Sequence, residues 1–96
     1  NKQVNTSTYT PTDTCKKDNG NSYATFVSSA ASGQPLMMYS RSTDNKYQSS
    51  VGSITYPASS VRVSYGSYEQ IKYSGWIKLG PTARYTTWTS TGSFTS

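Results

Sequence analysis

The sequence predicts an all-β chain, a small antiparallel β-sandwich or partly open barrel. Three observations carry that expectation. Of 96 residues, 18 are Ser and 14 are Thr, while only 14% are charged, against about 25% in an average domain. No window of the chain keeps the 3.6-residue apolar period of an amphipathic helix. Short runs of β-branched and aromatic residues recur between turn residues, at the roughly 8–12-residue spacing of sandwiches and barrels. A chain of this length builds one core. We divide it into an extended or disordered N-terminal arm, 1–21, and an antiparallel β domain, 22–96.

Within the arm, Val4 and Tyr9 are the only large apolar side chains. Thr recurs at 6, 8, 10, 12 and 14, a period of two in a residue that favours strands. Pro11 confines such a strand to a sheet edge or a contact between chains. The run Asp18-Asn19-Gly20-Asn21 ends it in turn residues.

Strand signals then follow in order. Tyr23–Ser29 holds Tyr23, Thr25 and Val27 on one parity. Ala30–Pro35 breaks it, and a short helix near Ser28–Ser32 is the one helical candidate. Leu36–Arg41 and Lys46–Val51 flank the turn Ser42-Thr43-Asp44-Asn45, which reads as a hairpin with a longer loop. Ile54–Tyr56 stops at Pro57. Val61, Val63 and Tyr65 alternate with Arg62 and Ser64.

Gly66-Ser67 suggests a further hairpin. A two-residue loop would mix apolar and polar partners on one face. A three-residue loop with a bulge pairs Val63 with Ile71 and Val61 with Tyr73, and a one-residue slip decides between the two. The parity continues through Ile71, Tyr73, Gly75, Ile77 and Leu79, with Gly75 marking a bend or bulge. Gly80-Pro81 turns the chain, and Thr82–Thr89 is expected to return along the same strand. Ala83 and Tyr85 would then meet Leu79 and Ile77. Ser and Thr would supply the solvent-facing positions throughout.

The outward parity of that last ribbon carries Lys72, Trp76, Lys78, Arg84 and Trp88. Indole faces stack on sugar rings and attract cations, and Lys and Arg draw anionic polymers. The five residues are therefore the candidate ligand site. A parity switch at Gly75 would instead turn both Trp side chains into the core, where Trp is usually found. The nine Tyr read first as core filler with wet hydroxyl ends.

Catalysis and metal binding find little support. There is no His, one Glu and one Cys, so a Ser nucleophile lacks its usual base. No two acids are spaced as a glycosidase pair or a calcium loop. No enzyme activity, cofactor or metal is expected. The nine Lys and Arg give a charge of +5 but form no run, so nucleic acid is disfavoured. No apolar stretch is long enough for a membrane helix. Composition points to a secreted, extracellular protein, and a start at Asn1 rather than Met fits a removed signal peptide. Asn5-Thr6-Ser7 is a glycosylation sequon. Lone Cys15 is a free thiol or an intermolecular disulfide.

The segment Tyr73-Ser74-Gly75-Trp76-Ile77-Lys78-Leu79, followed by Arg84-Tyr85 and Trp88, resembles the C-terminal half of lactococcin-like bacteriocins. These are small secreted β-sandwich proteins of Gram-positive bacteria. The likeness spans about 20 residues of the chain. It implies an exported protein acting at a bacterial envelope, with Trp76 and Trp88 as the positions carried over. The expected function is that of a non-catalytic binding protein whose partner is a cell-wall or other anionic envelope polymer. The alternative is a structural, self-assembling extracellular subunit, a homo-oligomer that donates residues 1–21 as a strand to its neighbour.

Overall fold

Nine strands build the computed structural model, which describes residues 2–28, 34–55 and 59–96. They are β1 (Lys2–Asn5), β2 (Thr10–Lys16), β3 (Tyr23–Ser28), β4 (Leu36–Ser42), β5 (Gly52–Ile54), β6 (Ser60–Ser64), β7 (Lys72–Leu79), β8 (Thr87–Ser90) and β9 (Gly92–Thr95). All pairings between them are antiparallel. A four-stranded sheet, β2-β7-β4-β5, faces a three-stranded sheet, β6-β3-β9, and β1 and β8 form a separate ribbon. The result is a sandwich, as the patterning predicted. No described helix is long and apolar enough to cross a membrane. The helix expected near Ser28–Ser32 falls, beyond Ser28, outside the described residues, as does Tyr56-Pro57.

Strand parity sets the core. On β4, Leu36, Met38 and Ser40 are buried while Met37, Tyr39 and Arg41 are half-exposed. On β7, Tyr73, Gly75, Ile77 and Leu79 alternate with Lys72, Ser74, Trp76 and Lys78. The opposing sheet contributes Ala24, Phe26, Val63 and Phe94. Tyr23, Thr25 and Val27 lie on its outer side, with Val27 exposed. Gly75 is flat against the far sheet. A Cβ there would sit 2.8 Å from Phe26 Cε1 and 3.0 Å from Phe94 Cγ. The expected bulge lies next door on β2, where the register shifts between Pro11 and Thr14, opposite Gly75.

Four expectations are corrected. First, residues 2–5 and 10–16 are strands of the domain: β1 pairs with β8 and β2 with β7. Val4 is fully buried, so the segment is held by packing within its own chain, and Pro11 sits on an edge strand. Second, Gly66 is not a hairpin turn. β6 pairs with β3, and the chain crosses from one sheet to the other before β7. Tyr65 and Tyr73 then meet inside the core, ring centres 5.0 Å apart. Third, Thr82–Thr89 does not return along β7, because both edges of β7 are occupied by β2 and β4. Gly80 does turn the chain, its N–H bonded to Pro35 O at 2.9 Å, but Tyr85 is exposed rather than packed on Ile77.

Fourth, the hydroxyl residues are not confined to water. Ser28, Ser40, Ser42, Ser49, Ser90 and Ser96 are buried. Buried hydroxyls need partners, and these six serines have them, whereas the buried Thr12 Oγ1 has none among the described residues. Ser40 and Tyr65 share a hydrogen bond of 2.7 Å, and Ser49 Oγ accepts the Ser40 N–H at 2.8 Å. Ser42 Oγ donates to Asp44 at 2.7 Å and accepts the N–H groups of Lys46 and Tyr47. It thereby fixes the turn after β4, where Asn45 takes a left-handed φ of 63°, a conformation Asn tolerates. The turn matches the predicted loop. The strand after it reduces to single bridges at Gln48 and Ser49 before β5 pairs with β4.

Candidate functional site

The outer face of the four-stranded sheet is built by register. Trp76 of β7 lies between Pro11 of β2 and Tyr39 of β4. Lys78 lies opposite Met37, Ser74 opposite Arg41, and Lys72 opposite Lys16. Neighbouring strands are about 4.8 Å apart, so cross-strand side chains touch.

An alternating chain of cations and rings results. The Lys78 ammonium stands 5.0 Å from the centre of the Tyr9 ring. Tyr9 meets Tyr39 edge-on at 4.7 Å. Tyr39 lies nearly parallel to Trp76, 8° between planes with centres 6.3 Å apart. The Arg41 guanidinium covers the Trp76 ring at 4.6 Å. Burial and the neighbouring Tyr39 push the Tyr9 hydroxyl above the usual tyrosine pKa, so it stays protonated at neutral pH.

Contact with a π face leaves the cation's hydrogen-bond donors unspent. A guanidinium held over an indole still carries N–H donors that can receive carboxylate or phosphate bidentately. Three of the four acids are engaged elsewhere, and Asp13 lines the space between the sheets. Asp44 accepts from Ser42 and the Lys46 N–H, and these bonds hold its carboxyl below the usual range. Glu69 accepts from the Tyr47 hydroxyl at 2.7 Å. Lys16 and Asp18, 3.7 Å apart and both exposed, form the only ion pair among the described residues.

The five residues read from parity divide. Lys72, Trp76 and Lys78 share the outer face of β7, as expected. Arg84 and Trp88 leave it, because β8 belongs to another ribbon. Arg84 is exposed after the Gly80 turn, its N–H bonded to Gln34 Oε1 at 2.9 Å. Trp88 is paired with buried Val4 and packs partly against the core. Its ring stacks on exposed Tyr85 at 5.4 Å. Tyr9, Tyr39, Arg41 and Lys16 were missed. The alternation Met37, Tyr39, Arg41 was visible in the sequence, but not that β4 and β2 flank β7.

Cys15 lies on β2 opposite Tyr73, half-buried. Its Sγ is 2.9 Å from Ser96 Oγ and accepts the Ser96 N–H at 3.1 Å. Asn5 Oδ1 accepts the N–H groups of Ser7 and Thr8 at 2.8 Å, which ties the sequon into a turn. Among the described residues no three His, Cys, Asp or Glu gather as a metal site. Compared with family models, curated proteins and solved structures, the chain matches none.

Proposed function

We propose that this is a secreted, non-catalytic binding protein that takes an anionic polymer of the bacterial envelope on the outer face of the four-stranded sheet. The observation that carries the reading is the Arg41 guanidinium on Trp76, with Lys78 over Tyr9 and, among the described residues, no carboxylate in an ion pair with either cation. Lys72 adds a further cation on this face, opposite a Lys16 that is already paired with Asp18. The aromatic ridge offers apolar contact to a sugar ring, and the flanking cations offer charge to its phosphate or uronate groups. The likeness of Tyr73–Leu79 to lactococcin-like bacteriocins points to the same compartment.

The test is co-sedimentation with a purified phosphate-bearing wall polymer and with a neutral wall glycan. The wild type should bind the first and release it as salt rises. Arg41→Gln with Lys78→Gln should lose most of that binding while its thermal transition remains. Retained binding by the folded double variant, or equal binding to the neutral glycan, refutes the proposal.

A further inference from the structure

We propose that the space between the two sheets is a binding site for a small uncharged amphiphile, a short alkyl chain carrying a hydroxyl. A cavity of about 80 Å3 lies there. Its floor is apolar and comes from both layers: Phe26 and Phe94 from one sheet, and Leu36, Met38, Ile54 and Ile77 from the other. Each of these six is buried. Protein interiors hold few voids larger than a water molecule, and an unfilled one costs stability in proportion to its volume.

Ring packing across the layers keeps them from closing in on this space. Phe26 and Phe94, 4.9 Å apart between ring centres, rest on the backbone of Gly75. The volume is about half that of an apolar cavity known to admit benzene, so a linear chain of a few carbons fits better than a ring. Lys2 and Asp13 stand among the remaining lining residues, together with Ser90 and Ser93. Opposite charges and hydroxyls suit a head that both donates and accepts hydrogen bonds. They do not favour a head of one charge.

This site lies on the inner side of the four-stranded sheet, away from the Arg41–Trp76 face, and is independent of the polymer reading. It is tested with 1-butanol, followed by methyl NMR of the full chain. Resonances of Leu36, Met38, Ile54 and Ile77 should shift with a saturating millimolar dependence, and butanoate should bind at least several-fold more weakly. Ile54→Phe fills the cavity and should abolish the response. Leu36→Ala enlarges the cavity and should strengthen the response, which decides the matter if the Phe variant does not fold. Linear, unsaturating shifts in the wild type would overturn the proposal. So would an unchanged response in folded Ile54→Phe or in Leu36→Ala, or equal binding of butanoate.

Discussion

The Arg41 guanidinium rests on the indole of Trp76, 4.6 Å from the ring centre, although the two residues are 35 positions apart in the chain. The register of β4 on β7, which sets Ser40 opposite Gly75, makes them diagonal neighbours. The contact holds the cation against the ring. It also makes Arg41 a residue that charge alone cannot replace.

Arg41→Lys should therefore bind an anionic wall polymer less well than wild type. Lys keeps the charge but loses the planar fork and its stacking. Cation–π contacts are worth about 0.5–2 kcal/mol, so the expected loss is between two- and thirty-fold. Titration of the polymer by tryptophan fluorescence measures it, and equal affinity would mean that the site senses charge only.

Gly75→Ala should destabilise the sandwich. The new methyl would sit 2.5 Å from Thr12 Oγ1 and 2.8 Å from Phe26 Cε1, and overpacking of this kind costs about 1–3 kcal/mol. For a domain of this size each kcal/mol lowers the melting midpoint by roughly 4–8 °C. Gly66→Ala, with nothing within 4 Å, is the comparison and should melt near wild type.

Alkaline pH should unfold the protein through Tyr65. Burial pushes this phenol from 10.0 up to about 12. Between those values the unfolded chain releases the proton while the folded one keeps it, so stability falls as pH rises from about 10 to about 12. Tyr9, Tyr47 and Tyr73 are raised as well and act with the same sign. Denaturant midpoints measured from pH 9 to 11.5 should decline, and less steeply in Tyr65→Phe. An equal slope in that variant would assign the effect to the other tyrosines.

Lys17 supplies the opposite slope. Its side chain is fully buried, with the ammonium 4.9 Å from the Tyr68 ring and 5.2 Å from that of Tyr65, and it donates to Asn19 Oδ1 at 2.8 Å. Among the described residues no carboxylate forms an ion pair with it, and burial lowers its pKa below the usual lysine value of 10.5. As pH rises through that lowered pKa toward 10.5, the unfolded state holds the proton longer, and this residue's contribution to stability increases. A buried charge replaced by an apolar side chain of similar volume is often neutral or stabilising. Lys17→Met should then match or exceed wild type in denaturant at pH 7, with any advantage shrinking toward pH 10.5. A variant that is several kcal/mol less stable would show that the tyrosine faces outweigh the cost of burial.

Local pattern made part of this legible. The alternation of Tyr73, Gly75, Ile77 and Leu79 with Lys72, Trp76 and Lys78 is a property of one strand, and it survived folding unchanged. The turn at Ser42–Asn45 and the edge position of Pro11 were equally local. The hairpins expected at Gly66 and Gly80 do not form, because neighbours in sequence are not neighbours in the sheet there. Tyr65–Lys72 instead crosses between layers, and β8 finds β1.

By itself, then, the sequence determined the all-β class, the facing of β7, and the scarcity of groups for acid–base or metal chemistry. Only the tertiary structure decided which strands flank β7, and so which side chains join Trp76: Tyr39, Arg41 and Tyr9 rather than Arg84 and Trp88. The reason is physical. Side-chain parity follows from backbone geometry within one strand, whereas strand partnership depends on burying Val4, Phe26, Tyr73 and their neighbours in a single core.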